Sequence, residues 1–338
     1  MTGPLTLSIG CFETDRSLPV LDGRIPIPGL RLQRDTGDTA DLFRRALRDR
    51  AFEITELSMS SHILTAARGD APYVGVPVFL SRSFRHSAVY VRTDRGIRSA
   101  ADLAGRRIGL PEYQQTAALW VRGMLREHYG VDTQGIAWRT GGLEKPGAGE
   151  RVALALPPGH DVAPIPNGST LNAMLADGQL DAIVGPRPPS CFLARSAPVD
   201  RLWPDYRAEE ERYFDATGFF PIMHCLAVRK DVAEAHPWLP AALFTGFCRA
   251  KAHSLALMSE TGVLRITMPW LTAEIAAQNR RMGGNLWSYG FARNRDEIAA
   301  MIRYGVTDGL TERAIAPEAL FHPSTLGLGE DEALQTSG

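Results

Sequence analysis

Lysine is scarce in this sequence, and several common catalytic motifs are missing from it. Only three of the 338 residues are lysines, namely Lys145, Lys230 and Lys251, so a Schiff-base mechanism has at most three candidate residues. The sequence contains no G-x-G-x-x-G, G-x-x-x-x-G-K-[ST], G-x-S-x-G or H-E-x-x-H. These patterns are typical of nucleotide-binding proteins, serine hydrolases and zinc peptidases. Nucleotide-driven and serine-hydrolase chemistry are therefore poor interpretations.

An excess of charge of one sign is also missing, and so are long apolar runs. Lys and Arg number 37 against 38 Asp and Glu, so the chain has no overall basic field that would attract nucleic acid. Its uninterrupted apolar runs all fall short of the roughly 18–20 residues that cross a bilayer. We expect neither a nucleic-acid partner nor a membrane partner.

The four cysteines show no C-x-x-C spacing, which argues against a zinc site or a thioredoxin-like pair. His86 and His224 are far apart and lack metal-ligand spacing, so we predict no metal site. The stretch 1–10 has neither the positive region nor the long apolar region of a signal peptide. We therefore expect a cytoplasmic protein with reduced thiols.

Strand-like and helical patterns alternate along the chain. This alternation predicts an α/β fold with a largely parallel sheet, and a second unit begins near residue 90. The predicted strands are 5–10, 52–57, 73–80, 88–92, 108–110, 152–156, 180–184 and 222–228. The predicted helices are 39–50, a helix after 116, 168–178 and 231–258, the last interrupted at Pro237.

The densest polar cluster lies between two predicted strands, at 81–87. It contains Arg82, Arg85, His86 and three serines. Arginine binds carboxylates through two parallel hydrogen bonds, so the cluster predicts an oxyanion cradle. A solvated loop between strands is the alternative.

A second polar cluster, 113–116, follows a predicted strand and leads into a helix. The free backbone N–H groups of such a turn bind anions, which makes Gln114 and Thr116 candidates. Ser58, which follows Glu56, repeats this arrangement earlier in the chain. Plain helix capping is the alternative in both places.

His224 lies in the apolar stretch 219–225. It is either a core histidine with its hydrogen bonds satisfied or a proton donor whose pKa is tuned by burial.

Several segments together resemble the 4,5-dihydroxyphthalate decarboxylase family. The resemblance extends over roughly residues 5–322. The matching segments are 52–60, 76–79, 81–87, 109–117, 120–123, 221–224, 236–239 and 268–270. The chain departs from the family pattern at Thr14, where an aromatic residue is expected before Asp15 and Arg16.

The resemblance implies a two-lobed type II periplasmic-binding-protein-like fold with a ligand cleft between the lobes. Residues 1–87 and 233–338 would form lobe one, and residues 88–232 would form lobe two. The polar clusters would then lie at strand ends, where open α/β sheets bind ligands.

The resemblance also implies cofactor-independent decarboxylation of a hydroxylated aromatic carboxylate such as 4,5-dihydroxyphthalate. His224 or His86 would protonate the carbon that carries the carboxylate, and we favour His224. Glu56 or Asp15 would orient the histidine or accept the phenolic proton. The expected substrate-binding residues are Asp15, Arg16, Ser58, Arg82, Arg85, Gln114 and Thr116.

Two alternatives stay open at this point. Most proteins of this fold bind a small molecule without chemistry, so a cytoplasmic binding protein for aromatic carboxylates is the rival function. The other alternative is an enzyme of this family that acts on a non-phthalate substrate in a biosynthetic pathway. A homo-oligomer is also compatible with the sequence.

Overall fold

The computed structural model describes residues 3–35, 39–147 and 149–335. The strands are β1 (Leu5–Gly10), β2 (Leu30–Asp35), β3 (Ile54–Ser58), β4 (Tyr73–Arg82), β5 (Val89–Arg92), β6 (Arg107–Leu110), β7 (Ala137–Thr140), β8 (Val162–Pro164), β9 (Ala182–Val184), β10 (Val199–Arg201) and β11 (Ile222–Arg229). The α-helices are α1 (Leu18–Leu21), α2 (Thr39–Arg44), α3 (Met59–Arg68), α4 (Thr116–Tyr129), α5 (Leu171–Ala176), α6 (Ser190–Leu193), α7 (Tyr206–Thr217), α8 (Lys230–Ala235), α9 (Leu239–Met258), α10 (Leu271–Met282), α11 (Phe291–Thr307) and α12 (Glu330–Gln335).

The chain divides into two compact units, each with its own sheet. The first unit comprises Met1–Arg82, Ile222–Ile298 and Ala316–Gly338. The second comprises Ser83–Pro221 and Ala299–Ile315. The sequence-based expectation placed the boundaries after residues 87 and 232.

The sheet of the first unit has the order β2-β1-β3-β11-β4. β1 runs parallel to β2 and β3, whereas β11 runs antiparallel to both of its neighbours, β3 and β4. The amino-terminal residues of β11 therefore lie beside the carboxyl-terminal residues of β3 and β4. In this register His224 pairs with Ser58 on one side and with Ser81 on the other.

The pairing of β11 with β4 is irregular on both sides of His224. Such irregularities change the direction of a side chain and are frequent beside functional sites. β3 is buried along its whole length. α3 follows it directly after Ser58 and ends at Gly69, which adopts the left-handed conformation at φ 79°.

The sheet of the second unit has the order β10-β5-β9-β6-β7-β8. β6 runs parallel to β7 and β9, and β5 runs antiparallel to its neighbours β9 and β10. α4 packs closely in this unit: a Cβ at Gly123 would lie 2.2 Å from the Tyr304 ring. Only glycine allows this approach.

The predicted α/β class is confirmed, but the prediction of a largely parallel sheet is wrong, because β11 in the first sheet and β5 in the second run antiparallel to both of their neighbours. The predicted strand over 152–156 is wrong, because this segment is irregular and β8 lies further along the chain. Pro157 and Pro158 follow the segment and lack the N–H groups that a sheet requires, and β8 occupies the place beside β7. Among the described helices, none has the length and apolar character needed to cross a membrane.

Candidate active site

Glu56 and His224 form a hydrogen-bonded pair in the first unit. The Nδ1 atom of His224 lies 2.7 Å from Oε1 of Glu56. Leu226 is the register partner of Glu56, so His224, two residues away, projects diagonally to Glu56 on the same face of the sheet. The Glu56 side chain is 3% exposed and that of His224 is 17% exposed. The carboxylate is thus buried while the imidazole reaches the surface.

The second carboxylate oxygen of Glu56 is held by the loop after β1. It accepts hydrogen bonds from the backbone N–H of Phe12, at 3.2 Å, and from the Sγ atom of Cys11, at 3.6 Å. Burial raises the pKa of the Cys11 thiol well above its usual value, and the negative charge of Glu56 raises it further. Cys11 is therefore a neutral hydrogen-bond donor and not a thiolate nucleophile.

Two phenylalanines border the imidazole of His224. The ring centroid of Phe43 lies 4.7 Å from that of His224 in an edge-on arrangement, and the centroid of Phe12 lies 6.3 Å away. Within the described part of the chain, Nε2 of His224 has no hydrogen-bond partner. The fixed Nδ1 and the available Nε2 are what proton transfer to a bound aromatic ring requires.

Arg16 lies close to the same pair. Its Nε atom donates to the carbonyl of Leu80 at 2.8 Å, and its guanidinium lies 3.9 Å above the Trp287 ring centroid. Asp15 accepts from the Arg16 guanidinium at 2.8 Å and is half exposed. The positive charge of Arg16 acts to lower the pKa of the Cys11 thiol, although burial outweighs this effect. Arg16 is thus a cation in the neighbourhood of the Glu56–His224 pair.

Arg82 is engaged inside the first unit. It donates to Glu297 Oε2 at 3.0 Å, to the Ser288 carbonyl at 2.9 Å and to the Asn294 side chain, and its own side chain is 2% exposed. The other oxygen of Glu297 accepts from the backbone N–H of Ile222 at 2.6 Å. Arg82 and Glu297 thus connect the end of β4 to the start of β11, two residues before His224.

Burial raises the pKa of the Glu297 carboxyl, and the neighbouring Arg82 charge acts in the opposite direction.

Ser58 is buried at the N-terminal cap position of α3 and pairs in register with His224. Its backbone therefore lies on β3, directly beside the residue of β11 that carries the imidazole.

In the second unit, His86 lies in an aromatic box. The centroids of Trp203, Tyr213 and Tyr129 lie 5.1, 5.4 and 6.0 Å from the His86 ring. Neither ring nitrogen has a hydrogen-bond partner among the described residues, and His86 is 1% exposed. Burial lowers its pKa to about 4, with smaller contributions from nearby positive charges. His86 is neutral at neutral pH.

Its neighbour Arg85 is half-buried. Burial lowers the pKa of Arg85 to about 10, and the Glu210 charge opposes this shift. Glu210 also accepts a hydrogen bond from the backbone N–H of Ser87, at 3.3 Å.

The turn before α4 holds a carboxylate of the chain itself. Glu150 accepts from the backbone N–H of Tyr113 at 2.5 Å and from that of Gln114 at 3.3 Å. Burial, together with the nearby Glu112 carboxylate, raises the pKa of Glu150 to about 7. The side chain of Gln114 donates to Glu112 at 2.7 Å, and Thr116 is the buried first residue of α4. The N–H groups of this turn thus bind a carboxylate, as anion sites do.

The structure sorts the predicted residues into two groups. In the first unit, Glu56, Ser58, Arg82 and His224 lie on β3, β4 and β11, whereas Asp15 and Arg16 follow β1, with Arg16 bonded to Leu80 of β4. Those of the second unit are Arg85, His86, Gln114 and Thr116. Over the described ranges, no three His, Cys, Asp or Glu side chains are grouped so that they could hold a metal ion.

Four residues of the first-unit site were missed from the sequence. Cys11 and Phe12 follow β1 at its carboxyl end, a position that could have marked them. Phe43 and Glu297 lie on helices distant in sequence, and nothing in their surroundings signals a role.

Comparison with known proteins places the fold and the family. The chain matches none of the family models against which it was compared. The chain is similar to a sulfonate-binding protein SsuA from Methylobacillus flagellatus, with a TM-score of 0.59 and 12% identity. The aligned residues cover 99% of this chain and 95% of that protein's chain. SsuA from Xanthomonas axonopodis, with a TM-score of 0.54 and 14% identity, covers 95% and 99%. These similarities confirm the periplasmic-binding-protein-like fold.

Two curated relatives are far more similar in sequence. The 4,5-dihydroxyphthalate decarboxylase of Comamonas testosteroni is 44% identical over 322 residues, which is 95% of this chain and 98% of the relative. The enzyme of the same name from Pseudomonas putida is 43% identical over 215 residues, which is 64% of this chain and 83% of the relative. The resemblance seen in the sequence is therefore confirmed, and this chain belongs to the 4,5-dihydroxyphthalate decarboxylase family, whose named members are carboxy-lyases.

Proposed function

We propose that the protein decarboxylates 4,5-dihydroxyphthalate or a closely related hydroxylated aromatic carboxylate. The name shared by both curated relatives supports the substrate class. The observation that carries the mechanism is the Glu56–His224 pair, with Nδ1 fixed at 2.7 Å and Nε2 available to a ligand.

The reaction requires one proton and no electron acceptor. A ring hydroxyl placed ortho or para to the leaving carboxylate donates electron density into the ring. The carbon that carries the carboxylate takes up a proton, and aromaticity is lost. The bond to the carboxylate carbon then breaks, its electron pair returns to the ring, and CO₂ leaves. The net change is replacement of the carboxylate by hydrogen.

His224 supplies the proton in this proposal. Its Nδ1–H donates to Glu56, which fixes the ring orientation and stabilises the imidazolium, as the carboxylate of a catalytic triad does. The Nε2–H then transfers its proton to the ring carbon, and solvent restores the proton afterwards. Cys11 and the backbone of Phe12 hold the second oxygen of Glu56 and so keep the carboxylate in place.

Arg16 and the two phenylalanines bind the substrate. The guanidinium of Arg16 is positioned by Leu80, Asp15 and Trp287 and still carries donors for a substrate carboxylate. Phe12 and Phe43 provide an apolar, aromatic border on which the substrate ring packs beside the imidazole.

The other predicted residues take different roles in the proposal. Arg82, at the end of β4, and Ser58, at the end of β3, position the start of β11, which carries His224. His86 packs the core of the second unit. Arg85, Gln114 and Thr116 stay predicted ligands for an anion in that unit.

We also propose that the protein works in the cytoplasm. Its four cysteines (Cys11, Cys191, Cys225 and Cys248) are all buried and free, as is typical of proteins in a reducing compartment.

The test is CO₂ release from purified protein incubated with a panel of hydroxylated phthalates, with and without chelator. We expect release from at least one hydroxylated phthalate and none from phthalate itself. His224→Gln should abolish turnover and still bind the substrate in a thermal-shift assay. His322→Ala is the matched control, because that ring bonds only within its own turn, and it should leave turnover unchanged.

Three other results would change the proposal. Near-normal turnover by His224→Gln would remove this residue from the mechanism. Loss of wild-type turnover with chelator would point to a metal. Tight binding of a panel member by the wild-type protein without CO₂ release would support the binding-protein alternative.

A further inference from the structure

Of the three lysines, Lys251 of α9 is buried, at 4% exposed, whereas the other two are exposed. Its ammonium group donates to the Trp287 carbonyl at 2.6 Å, to the Asn285 side chain at 3.3 Å and to the Glu330 carboxylate at 2.6 Å. A lysine ammonium has three N–H donors, so all of them are used. Lys251 is therefore held in place and is not a free amine that could form a Schiff base.

Glu330, the first residue of α12, completes this buried network. Its Oε2 atom also accepts from the Asn285 side chain at 2.9 Å, and its Oε1 atom accepts from the backbone N–H of Tyr289. Asn285 in turn accepts from the backbone N–H of Trp287 at 3.3 Å. Residues of α9 and α12 thus hold the segment 285–289, which connects α10 to α11.

The network fixes Trp287 more than it stabilises the fold. A buried ion pair contributes little net stability, because the cost of desolvation offsets the attraction. Here the backbone N–H of Trp287 is held by Asn285 and its carbonyl by Lys251, while its indole N–H donates to the Phe79 carbonyl at 2.6 Å. Three hydrogen bonds therefore determine where the indole ring lies.

The fixed indole ring packs against the Arg16 guanidinium. The Nε atom of Arg16 donates to the carbonyl of Leu80, the residue after Phe79, so Arg16 and Trp287 bond to consecutive carbonyls of β4. The guanidinium carbon lies 3.9 Å from the centroid of the indole ring. Stacking at this distance sets the plane of the guanidinium. Arginine binds a carboxylate through two parallel hydrogen bonds in that plane, so the Trp287 ring decides where a carboxylate can bind.

We propose that Lys251 and Glu330 are positioning residues that orient Arg16 for the substrate carboxylate through Trp287. This inference rests on the proposed role of Arg16 in substrate binding. It makes substrate affinity depend on the carboxyl-terminal helix α12, whereas the proton-transfer residues are held by β3 and β11. Disturbance of the network should therefore raise KM and change kcat little.

The experiment compares KM and kcat for CO₂ release among variants of the network. Glu330→Gln keeps the shape of the side chain but replaces charge-assisted hydrogen bonds by weaker ones, so KM should rise about 5-fold or more. Glu318→Gln is the matched control, because Glu318 also pairs with an arginine, Arg295, in the carboxyl-terminal part of the first unit. It should leave both constants unchanged.

Two variants of Trp287 carry the test if Glu330→Gln does not fold. Trp287→Leu leaves the ion pair in place and removes the aromatic face, so it should raise KM. Trp287→Phe keeps an aromatic face and should restore most of the affinity. Thermal melts verify that each variant is folded. If the protein binds a phthalate without CO₂ release, the same comparisons apply to the dissociation constant of that phthalate.

A double-mutant cycle separates positioning of Arg16 from a general loss of structure. In the Arg16→Met background, Glu330→Gln should raise KM no further, because the residue through which it acts is gone. An equal rise in both backgrounds would overturn the proposal, as would an unchanged KM in both Glu330→Gln and Trp287→Leu. An unchanged KM in Arg16→Met itself would refute the binding role of Arg16, a different failure that removes the premise of the inference.

Discussion

The imidazole Nδ1 of His224 lies 2.7 Å from the carboxylate of Glu56 on the same face of neighbouring strands, although the residues are 168 positions apart in the chain. The antiparallel insertion of β11 between β3 and β4 brings them together. This relationship fixes the orientation of the imidazole that we propose as the proton donor, and the first prediction tests that role.

Replacement of Glu56 by Gln should lower kcat by about 10²- to 10⁴-fold. The amide keeps the shape of the side chain but removes the negative charge that stabilises the imidazolium. Substrate affinity should change little, because Glu56 is buried behind the histidine. Steady-state kinetics and a binding titration measure the two effects separately. A large loss of affinity with kcat unchanged would assign Glu56 to substrate binding instead.

Cys11 should act through its hydrogen bond and not as a nucleophile. We expect Cys11→Ser to retain most of the activity, because a hydroxyl also donates to Glu56, and Cys11→Ala to lose about 10-fold in kcat, about the worth of one hydrogen bond. Because burial raises the pKa of this thiol, thiol-alkylating reagents at neutral pH should not inactivate the folded protein. Equal and complete inactivity of both variants would instead indicate a thiolate nucleophile.

The sequence predicted the strands that build the first-unit site, because β3, β4 and β11 are buried apolar runs bounded by polar residues. It also predicted that polar residues gather at strand ends. The pairing of Glu56 with one particular histidine was out of reach, because it depends on which strand lies beside β3. No local pattern specifies that choice.

Arg82 and His86 show the same limit more sharply. Both stood in the densest polar cluster of the sequence, yet the ion-pair partner of Arg82 is Glu297, 215 residues away. The partners of His86 are aromatic side chains of α4, α7 and the segment before α7. A cluster in sequence thus became two separately packed residues, since side-chain direction is set by tertiary packing.

Replacement of His86 by Phe should make the free energy of unfolding depend less on pH at acid pH. The pKa of His86 is about 4 in the folded protein against about 6.5 in an unfolded chain. Between these values the unfolded state binds the extra proton, so stability falls as pH decreases from about 6.5 to 4. This residue contributes at most about 1.4 kcal/mol for each pH unit in that window.

The measurement is urea unfolding of wild-type protein and His86→Phe at several pH values. Phe fits the aromatic box, so the variant should fold. Between pH about 4 and 6.5, the slope of its free energy of unfolding against pH should be smaller than that of the wild type by the contribution of about one proton. Its turnover should match that of the wild type. Loss of turnover in a folded His86→Phe variant would restore His86 as a candidate proton donor.

Removal of Glu297 should destabilise the protein more than joint removal of both partners in its ion pair. Glu297→Leu leaves the buried Arg82 without its counter-charge, which costs about 3–5 kcal/mol. The double variant Arg82→Met/Glu297→Leu should recover part of this loss in urea unfolding. Both should lower kcat, because Glu297 also holds the backbone of Ile222 near His224. Arg82→Met is measured alone as well. If the loss in the double variant equalled the sum of the losses in Arg82→Met and Glu297→Leu, direct coupling of the two side chains would be contradicted.

Arg16 should affect substrate binding more than the chemical step. A charge-assisted hydrogen bond contributes about 1.5–3 kcal/mol, so Arg16→Met should raise KM by about 10- to 150-fold, with a smaller change in kcat. Arg16→Lys should fall between, since lysine keeps the charge but cannot form two parallel hydrogen bonds or reproduce the guanidinium packing on Trp287. Arg24→Met is the control, because Arg24 pairs in the same way with the nearby Asp22. If Arg16→Met left KM unchanged, Arg16 would be removed from the proposed substrate-binding residues.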